Sequence, residues 1–493
     1  MPNQNQIPLL DALKANAARP HAPFYTPGHK QGKGIPQPLA DLFGKAVFSA
    51  DLTELADLDN LFAPQGVIQE AQQLAAEAFG ASQTWFLVNG STCGIEAAIL
   101  ATCGTGDKII LPRNVHSSAI AGLILSGAIP IFLNPEYDPV LDIAHSITPN
   151  AVQAALQQHP DAKAVLTVYP TYYGVCGDLR AIANITHQYN VPLLVDEAHG
   201  AHFAFHSELP TPALAAGADL TVQSIHKVLG AMTQASMLHV QGNRINGDRI
   251  SKALQLVQST SPSYLLLASL DAARQQMALH GKMLMSRTLQ LAKEARTKIS
   301  QIPGLSVLSP PFKEGLGGSP GFVALDKTRL TVTVSGLGLT GFEADEILDE
   351  KFAVTAEFAS IQHLTFIISL GNTPADIEQL VQGFTTLTKE YCRSNLTVKN
   401  QVWLNLDRTL DYALQLSPRE AFFAVSEILP LTQTNKRICA EIVCPYPPGI
   451  PVLMPGEVII KPVLDYLQQI QAMGGSIGGC ADSSFRTLKV VKE

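Results

Sequence analysis

The chain has 493 residues, 46 % of them hydrophobic, and a formal net charge of −8 with a sequence pI near 5.9. A chain of this length buries a large core and is too long for one simple domain, so we expect two or three domains. The chain is acidic, and it has neither a basic run nor a basic strip with aromatic residues. We therefore exclude a nucleic-acid partner.

The sequence also argues against a membrane protein and a secreted one. The opening MPNQNQIPLLDALK lacks the basic-then-apolar order of a secretion signal, and the longest apolar region, AIAGLILSGAIPIFL, is interrupted by Gly, Ser and Pro. The seven cysteines are odd in number, and no pair is spaced C-x-x-C, so neither a disulfide framework nor a zinc knuckle is favoured. We therefore expect a cytoplasmic protein with buried free thiols.

The predicted elements begin with a helix over residues 7–18, and the Pro-, Gly- and His-rich stretch HAPFYTPGHKQGKG then indicates an extended arm. From residue 66 the pattern becomes regular, and strands of four to seven apolar residues alternate with longer helices. The predicted strands lie at 84–90, 108–112, 129–133, 162–170, 191–200 and 220–227, the last of which leads into a turn. The predicted helices lie at 67–80, 91–104, 117–127, 151–159 and 179–190. This alternation predicts an α/β fold with a mainly parallel sheet, whose functional residues lie at the carboxyl ends of the strands.

A second, smaller α/β unit follows a loop at 309–322 that is rich in Pro and Gly. Its predicted elements are a strand at 330–336, a helix at 341–352, a strand at 364–371 and a helix that Thr373 caps and Pro374 opens. We therefore divide the chain into an N-terminal arm (1–50), a large domain (51–300), a small α/β domain (301–395) and a loop-rich C-terminal α+β domain (396–493).

Asp196 ends the apolar run VPLLVD. A carboxylate at the tip of a buried strand is costly unless it meets a cation. It could cap a helix or form a structural ion pair, or it could hold a heteroaromatic nitrogen, such as that of a pyridinium ring, in its protonated form.

The segment VNGSTCG lies between a predicted strand and a helix. Gly90, Ser91 and Thr92 offer backbone N–H groups and two hydroxyls at a helix N-terminus, an arrangement that binds phosphate readily. An ordinary helix cap has the same appearance, so the pattern alone is not decisive.

His116 and Lys227 also follow strand ends. A planar imidazole at 116 is suited to stack on a flat cofactor ring, although a lone histidine is often structural. Lys227 is flanked by apolar residues and preceded by Ser224 and His226, and a desolvated lysine is a good nucleophile. A phosphate corner, a stacking ring, a buried acid and a buried amine are together what pyridoxal 5′-phosphate requires.

Two other functions of the region around DEAHGAH, a helicase magnesium site and a histidine metal site, lack the sequence patterns they require. A helicase magnesium site at DEAH needs an upstream G-x-x-x-x-G-K-[ST] loop, which the sequence lacks. His199, His202 and His206 do not follow the H-E-x-x-H pattern of a metal site. We therefore predict no metal.

The whole set of motifs resembles the Orn/Lys/Arg decarboxylases, a family of fold-type I pyridoxal-phosphate enzymes, and in particular the shorter Bacillus-type arginine decarboxylases. The likeness runs over nearly the whole chain. It is carried by the ordered segments TPGHKQGKG, LDNLFAPQGVIQEAQQLAAEAFGA, GDKIILPRNVHSS, VDEAHGAH, SIHK, STSPSYLLLASLD and YPPGIPVLMPGE.

The resemblance implies a role for each candidate residue. Lys227 would carry the cofactor as a Schiff base, Asp196 would pair with the pyridine nitrogen, and His116 would stack on the ring. Residues that would contact the cofactor or its phosphate are Gly90, Ser91, Thr92, Ala198, His199, Ser224, His226 and, across the interface of a homodimer or larger homo-oligomer, Thr260. His29 and Glu441 would lie on the substrate side. The segment NGSTCG departs in detail from related forms, which leaves the phosphate donors open.

The implied reaction is decarboxylation of a basic L-amino acid, with arginine favoured over lysine and ornithine by the likeness to the arginine-specific group. Acidic candidates for the far end of the substrate are Glu441, Glu457, Asp51 and Glu54. An aminotransferase or aldolase-type enzyme of the same fold is an alternative, but no arginine lies between Arg329 and Arg393 to hold a substrate carboxylate. An inactive homologue is a further alternative, against which the intact Lys227, Asp196 and His116 argue.

Overall fold

The structure is a computed structural model that describes residues 3–310, 319–391, 414–446 and 449–493. Most of the predicted loop at 309–322 and the predicted domain boundary at 395–396 lie outside the described residues, as do Pro447 and Pro448. By its internal contacts the chain divides into two compact units, one of residues 1–102 and 194–285 and the other of residues 103–193 and 286–493. The four-part domain division remains a prediction.

The helices and strands are numbered in chain order. The helices are α1 Pro8–Ala18, α2 Gln37–Phe43, α3 Lys45–Ala50, α4 Val67–Phe79, α5 Gly90–Thr102, α6 Ser117–Ser126, α7 Pro149–Gln158, α8 Leu179–Gln188, α9 Ala213–Ala216, α10 Ile225–Val228, α11 Gly247–Val257, α12 Tyr264–Ile299, α13 Gly341–Phe352, α14 Pro374–Tyr391, α15 Pro418–Phe423 and α16 Lys461–Ala472. The strands are β1 Gln83–Leu87, β2 Lys108–Pro112, β3 Ile129–Leu133, β4 Tyr137–Asp138, β5 Ile143–Ala144, β6 Ala164–Val168, β7 Val175–Cys176, β8 Leu193–Asp196, β9 Leu220–Gln223, β10 Ser236–Val240, β11 Ser306–Val307, β12 Ala324–Leu325, β13 Arg329–Thr333, β14 Phe358–Ala359, β15 His363–Ile367, β16 Ser426–Pro430, β17 Cys444–Tyr446, β18 Ser476–Gly478 and β19 Thr487–Val491.

In the first unit the strands lie in the order β1-β10-β9-β8. β8 and β9 are parallel, as predicted, whereas β10 is antiparallel to both of its neighbours. The sequence analysis did not predict β10. Its residues are all buried, so it lacks the alternation of exposed and buried positions that identifies a strand with one solvated face.

Helix α5 packs closely against this sheet, and Gly94 makes the approach possible. A Cβ added at Gly94 would lie 2.6 Å from Val222 Cγ1 and 2.7 Å from Leu87 Cδ1. Because glycine has no side chain there, the N-terminus of α5 lies close to the end of β9. This places the predicted phosphate corner beside the segment that carries Lys227.

In the second unit β6, β2 and β3 form parallel pairs in that order. A separate four-stranded antiparallel sheet, β11-β13-β15-β14, packs against α13 and α14 around a core that includes Leu330, Leu348 and Phe384. The Thr373 cap is confirmed, since its Oγ1 accepts the Asp376 backbone N–H at 3.4 Å.

The C-terminal part of the second unit has its own apolar core. Strands β16 and β19 pair antiparallel, β17 pairs with β18, and α16 contributes Val463, Leu467 and Ile470 to the buried cluster. Two regular strand pairs and a helix give this part more secondary structure than a loop-rich tail, in keeping with the predicted α+β character.

Candidate active site

Two neighbouring parallel strands deliver the central residues of the site. β8 ends at Asp196, which is paired in register with Val222 of β9. Ser224 follows β9 as the N-cap of the four-residue helix α10, and Lys227 lies on that helix. Because parallel strands end at the same edge of a sheet, the predicted acid and amine belong to one edge of the first unit.

The amine of Lys227 contacts a second predicted residue. Its Nζ lies 3.0 Å from Nε2 of His199, a buried side chain in the turn after β8. The backbone also joins these two segments, since the Ser224 N–H donates to the carbonyl of Ala198 at 3.3 Å. The VDEAHGAH and SIHK motifs therefore form one local structure.

Asp196 is buried, and its Oδ1 accepts the backbone N–H of Ala198 at 3.1 Å. This bond fixes the carboxylate at the strand end and leaves Ala198, with its small side chain, beside it. The geometry suits a carboxylate that must keep one orientation toward a ligand.

The next residue, Glu197, starts a buried network that the sequence analysis missed. Its carboxylate accepts hydrogen bonds from the Ala213 N–H (2.8 Å), the Thr221 hydroxyl (3.0 Å) and the Gln223 amide (2.8 Å). Burial raises the pKa of Glu197 to about 7, although these donors oppose the shift. The network holds the segment after β8 against β9.

The Glu197 network continues through two further side chains. Gln223 Oε1 lies 3.2 Å from His239 Nε2, and His239 Nδ1 lies 2.7 Å from Thr84 Oγ1. Burial lowers the pKa of His239 to about 3, so this imidazole is neutral near pH 7. The residues lie on three adjacent strands, and no motif links them in the sequence.

The predicted phosphate corner combines residues of α5 and α10. The Ser224 hydroxyl donates to Ser91 Oγ at 2.9 Å, and Gly90, the first residue of α5, has a φ of +76°. Thr92 is exposed in the first turn of the same helix. Hydroxyls from two elements and the first-turn N–H groups of a 13-residue helix are suited to the predicted binding of a phosphate, which remains a prediction.

His226 lies between Ser224 and Lys227 on α10. Burial, and to a lesser degree the nearby Lys227, lower the pKa of His226 to about 4. A neutral imidazole near pH 7 acts as a hydrogen-bond donor or acceptor and not as a fixed positive charge. In the predicted role of phosphate ligand, His226 would therefore act through a hydrogen bond and not through a positive charge.

His116 lies in the second unit as the N-cap of α6. Its Nδ1 accepts the backbone N–H of Ser118 at 3.2 Å and lies 3.0 Å from the Ser118 hydroxyl. The cap fixes the direction of the imidazole ring. Its predicted stacking on a cofactor remains a prediction.

The family described as "Orn/Lys/Arg decarboxylase, major domain" matches residues 7–376, and its C-terminal domain matches residues 408–483. The chain belongs to the Orn/Lys/Arg decarboxylase family. The resemblance recognised in the sequence is thereby confirmed.

Individual relatives agree with this assignment. An arginine decarboxylase of Bacillus subtilis (strain 168) is 40 % identical over 491 residues, covering 100 % of this chain and 99 % of that protein. A lysine decarboxylase of Pseudomonas aeruginosa is 25 % identical, covering 94 % of this chain and 75 % of that protein. The chain is a decarboxylase, and its similarity to arginine decarboxylases exceeds that to the lysine enzyme.

Solved structures support the fold. The crystal structure of a lysine decarboxylase of Francisella novicida matches with a TM-score of 0.83 at 22 % identity, covering 99 % of this chain and 82 % of that one. This match confirms the predicted α/β fold class.

Within the first unit of the decarboxylase, His29 forms a fixed pair with Asp51. His29 Nε2 lies 3.1 Å from Asp51 Oδ2, and its Nδ1 accepts the Gly32 N–H at 3.1 Å. Glu54 accepts the side-chain amide of Asn60 at 2.8 Å. The predicted substrate contacts of His29, and those weighed for Asp51 and Glu54, remain untested.

The segment STSPSY joins the decarboxylase core through its last residue. Tyr264 is buried and donates its hydroxyl to the carbonyl of Asp59 at 2.6 Å, while Asp59 accepts the N–H groups of Gly66 and Ile68 at the start of α4. Thr260 is exposed. Its contribution to a neighbouring subunit remains a prediction.

Glu441, predicted on the substrate side, is anchored within the C-terminal part of the second unit. Its two carboxylate oxygens accept the backbone N–H groups of Ala481 and Lys489, each at 2.8 Å. Glu457, also considered for the substrate, forms an ion pair with Arg113 at 3.0 Å. These partners hold the chain together, and a substrate contact for either carboxylate stays a prediction.

In the part of the chain that the structure describes, no helix is both long and apolar enough to cross a bilayer. Within the same ranges, no group of three or more His, Cys, Asp or Glu side chains is arranged to hold a metal ion. The described cysteines are all free thiols.

Proposed function

We propose that this chain decarboxylates L-arginine to agmatine and CO2, with pyridoxal 5′-phosphate as its cofactor. The observation that carries the proposal is the pairing of strand β8, which ends at Asp196, with β9, which leads through Ser224 to Lys227. The choice of arginine is supported by the 40 % identity, over the full chain, to a Bacillus arginine decarboxylase.

The donor set of the first unit fits the cofactor. The hydroxyls of Ser91 and Ser224, 2.9 Å apart, and the N-terminus of α5 suit its phosphate. Asp196 supplies an anion for a protonated ring nitrogen, and Lys227 supplies the amine for the aldehyde. When bound, the cofactor would accept the electron pair that remains on Cα as CO2 departs.

The chain's own residues would then control orientation and proton transfer. Asp196, held by the Ala198 N–H, would keep the nitrogen of the cofactor ring protonated and the ring electron-poor. Lys227 contacts His199 at 3.0 Å, so its amine has a neighbour that can stabilise it and pass a proton. Lys227 or His116 would return the proton to Cα.

The substrate choice can be tested directly. Purified protein loaded with pyridoxal 5′-phosphate is incubated with arginine, lysine or ornithine in turn, and the CO2 and the amine formed are measured. We expect agmatine from arginine at a rate at least tenfold above the rates with lysine and ornithine. Preferred formation of cadaverine would instead identify lysine as the substrate, and preferred formation of putrescine would identify ornithine.

A Lys227→Ala variant separates this chemistry from other reactions of the same fold. It should lose both CO2 release and the visible absorbance of the lysine-bound cofactor. Retention of that absorbance would contradict the role of Lys227. Formation of a keto acid in place of CO2 by the unaltered protein would instead indicate an aminotransferase.

We also propose that the enzyme is a cytoplasmic homodimer or a larger homo-oligomer. Supporting observations are the buried free thiols and the exposed apolar side chains of the N-terminal region, among them Phe24, Leu42 and Phe43. Light scattering on purified protein gives the mass, and a monomer at micromolar concentration would contradict the proposal.

A further inference from the structure

A cavity of about 150 Å³ lies within the second unit, and aromatic side chains form much of its wall. Phe358 packs edgewise against Tyr172 and Tyr173, with ring centroids 5.7 and 5.3 Å apart and interplanar angles of 86° and 60°. The three rings form one aromatic wall. A cavity of this size holds a molecule of about six heavy atoms.

Among the described residues that line the cavity, only Asp142 and Arg113 are charged at neutral pH. The guanidinium of Arg113 donates to the carbonyls of Pro451 (2.7 Å) and Val452 (3.1 Å) and to the carboxylate of Glu457 (3.0 Å). The ion pair with Glu457 offsets the charge of Arg113. The carboxylate of Asp142 therefore sets the sign of the charge at the cavity.

Asp142 is held in place by its own hairpin. Its Oδ1 accepts the hydroxyl of Tyr137 at 2.5 Å, and it lies in the turn between β4 and β5 with a φ of +52°. One carboxylate oxygen is thus used to orient the group. A fixed carboxylate and aromatic rings that line the same cavity are the chemistry that recognises an organic cation, through charge and through contact with the rings.

We propose that this cavity binds the guanidinium end of an aliphatic cation such as arginine or agmatine. The identity of the cation rests on the proposed function, whereas the charge and size of the group that enters the cavity rest on Asp142, the three rings and the volume. A planar guanidinium can lie against an aromatic ring and donate N–H groups to a carboxylate at the same time. Anions are disfavoured, because the Nη groups of Arg113 already donate within the protein.

The cavity also reaches the turn that carries a predicted catalytic residue. Asn114 lines it and donates its side-chain amide to the carbonyl of His145 at 3.3 Å. His116 follows two residues later and caps α6. The proposed cation site therefore includes a residue of the loop between β2 and α6 that also carries His116.

Binding to the holoenzyme tests the proposal without turnover. The probes are n-butylguanidinium and n-butylurea, which match in length and planar head group but differ in charge, and calorimetry gives both affinities. We expect the unaltered protein to bind the guanidinium at least tenfold more tightly than the urea. Equal affinities would overturn the proposal.

Asp142→Asn should reduce the affinity ratio of the two probes to within about twofold of one, because it removes the charge and keeps the shape. The matched control is Asp161→Asn in the same unit, an exposed aspartate that pairs with Lys108 at 3.0 Å and does not line the cavity. It should keep the ratio of the unaltered protein. An unchanged ratio in Asp142→Asn would overturn the proposal.

A second variant guards against misfolding of Asp142→Asn. Phe358→Leu keeps an apolar side chain but removes a ring, so the ratio should fall at least threefold through loss of the cation–π contact. A ratio equal to that of the unaltered protein would count against the site. Failure to release CO2 from arginine, with the probe preference intact, would sink only the proposed function.

Discussion

Arg113 and the buried Glu457, 344 positions apart in the chain, form an ion pair with 3.0 Å between Nη2 and Oε2. Glu457 also accepts the N–H of Met454 at 3.0 Å, and Arg113 donates to the carbonyls of Pro451 and Val452. Within the second unit, the pair joins the end of strand β2 to the segment PVLMPGE. The ion pair thus connects two of the segments that carry the family resemblance, GDKIILPRNVHSS and YPPGIPVLMPGE.

Breaking this pair should destabilise the protein strongly. Arg113→Met leaves the carboxylate of Glu457 buried without its cation, which costs about 3–5 kcal/mol. Burial already raises the pKa of Glu457, and Arg113 opposes that rise. Urea unfolding should show the loss, and Glu457→Gln in the Arg113→Met background should recover part of it. Equal stability of Arg113→Met and the unaltered protein would refute the assignment.

Glu197 should make stability depend on pH. Its folded pKa is about 7 and its ordinary value is 4.5, so the folded state binds this proton more tightly than the unfolded state. The stabilisation of the folded state by this proton is fully present below pH 4.5. It is lost as the pH rises through 7, and the loss amounts to about 3 kcal/mol in all.

Glu197→Gln, which resembles the protonated acid, provides the reference for that contribution. From pH 5 to pH 8, the free energy of unfolding of the unaltered protein should fall relative to that of Glu197→Gln. Taking the difference cancels other titrating groups, His239 among them. A difference that does not vary with pH would show that Glu197 does not titrate in this range.

Gly94→Ala should disturb the contact between α5 and the sheet. The new Cβ would lie 2.6 Å from Val222 Cγ1, well inside van der Waals contact, and relief of the clash costs about 1–3 kcal/mol. The melting temperature should fall, and cofactor affinity should fall with it, because the N-terminus of α5 moves. Gly371→Ala, where the added Cβ meets nothing within 4 Å, is the matched control and should change neither.

Ser224→Ala should weaken cofactor binding without unfolding the protein. It removes the hydroxyl that contacts Ser91 at 2.9 Å, and a hydrogen bond to a charged phosphate contributes about 1.5–3 kcal/mol, or tenfold or more in affinity. Equilibrium dialysis of pyridoxal 5′-phosphate measures the change. Ser251→Ala, which removes a hydroxyl bonded to Trp85 in the same unit, should leave the affinity as it was. If both variants bind equally well, Ser224 does not hold the phosphate.

Asp196→Asn should cost turnover far more than stability. Asparagine keeps an oxygen for the Ala198 N–H but cannot hold a pyridine nitrogen protonated, so we expect kcat to fall about 100-fold or more. Steady-state kinetics together with a melting curve separates the two effects. A variant that melts normally and retains full turnover would remove Asp196 from the proposed mechanism.

The positions of the candidate cofactor residues on the fold were predictable because each lies where a buried strand ends or a helix begins. Asp196 at the end of β8, Ser91 near the start of α5 and Lys227 after β9 all follow from local patterns that the structure reproduces. The partners of Glu197 could not be placed in this way, since Gln223, His239 and Thr84 are joined only by the pairing of β9, β10 and β1.

By itself the sequence determined the α/β class, most of the strands and helices of the first 230 residues and the family, and it predicted a set of cofactor residues. Only the tertiary structure decided that β10 runs antiparallel, that Glu457 pairs with Arg113 and that Asp142 lines the same cavity as three aromatic rings. The reason is physical. The period of hydrophobic residues encodes which face of an element is buried, whereas the partner of that face depends on contacts between distant segments that local patterns do not encode.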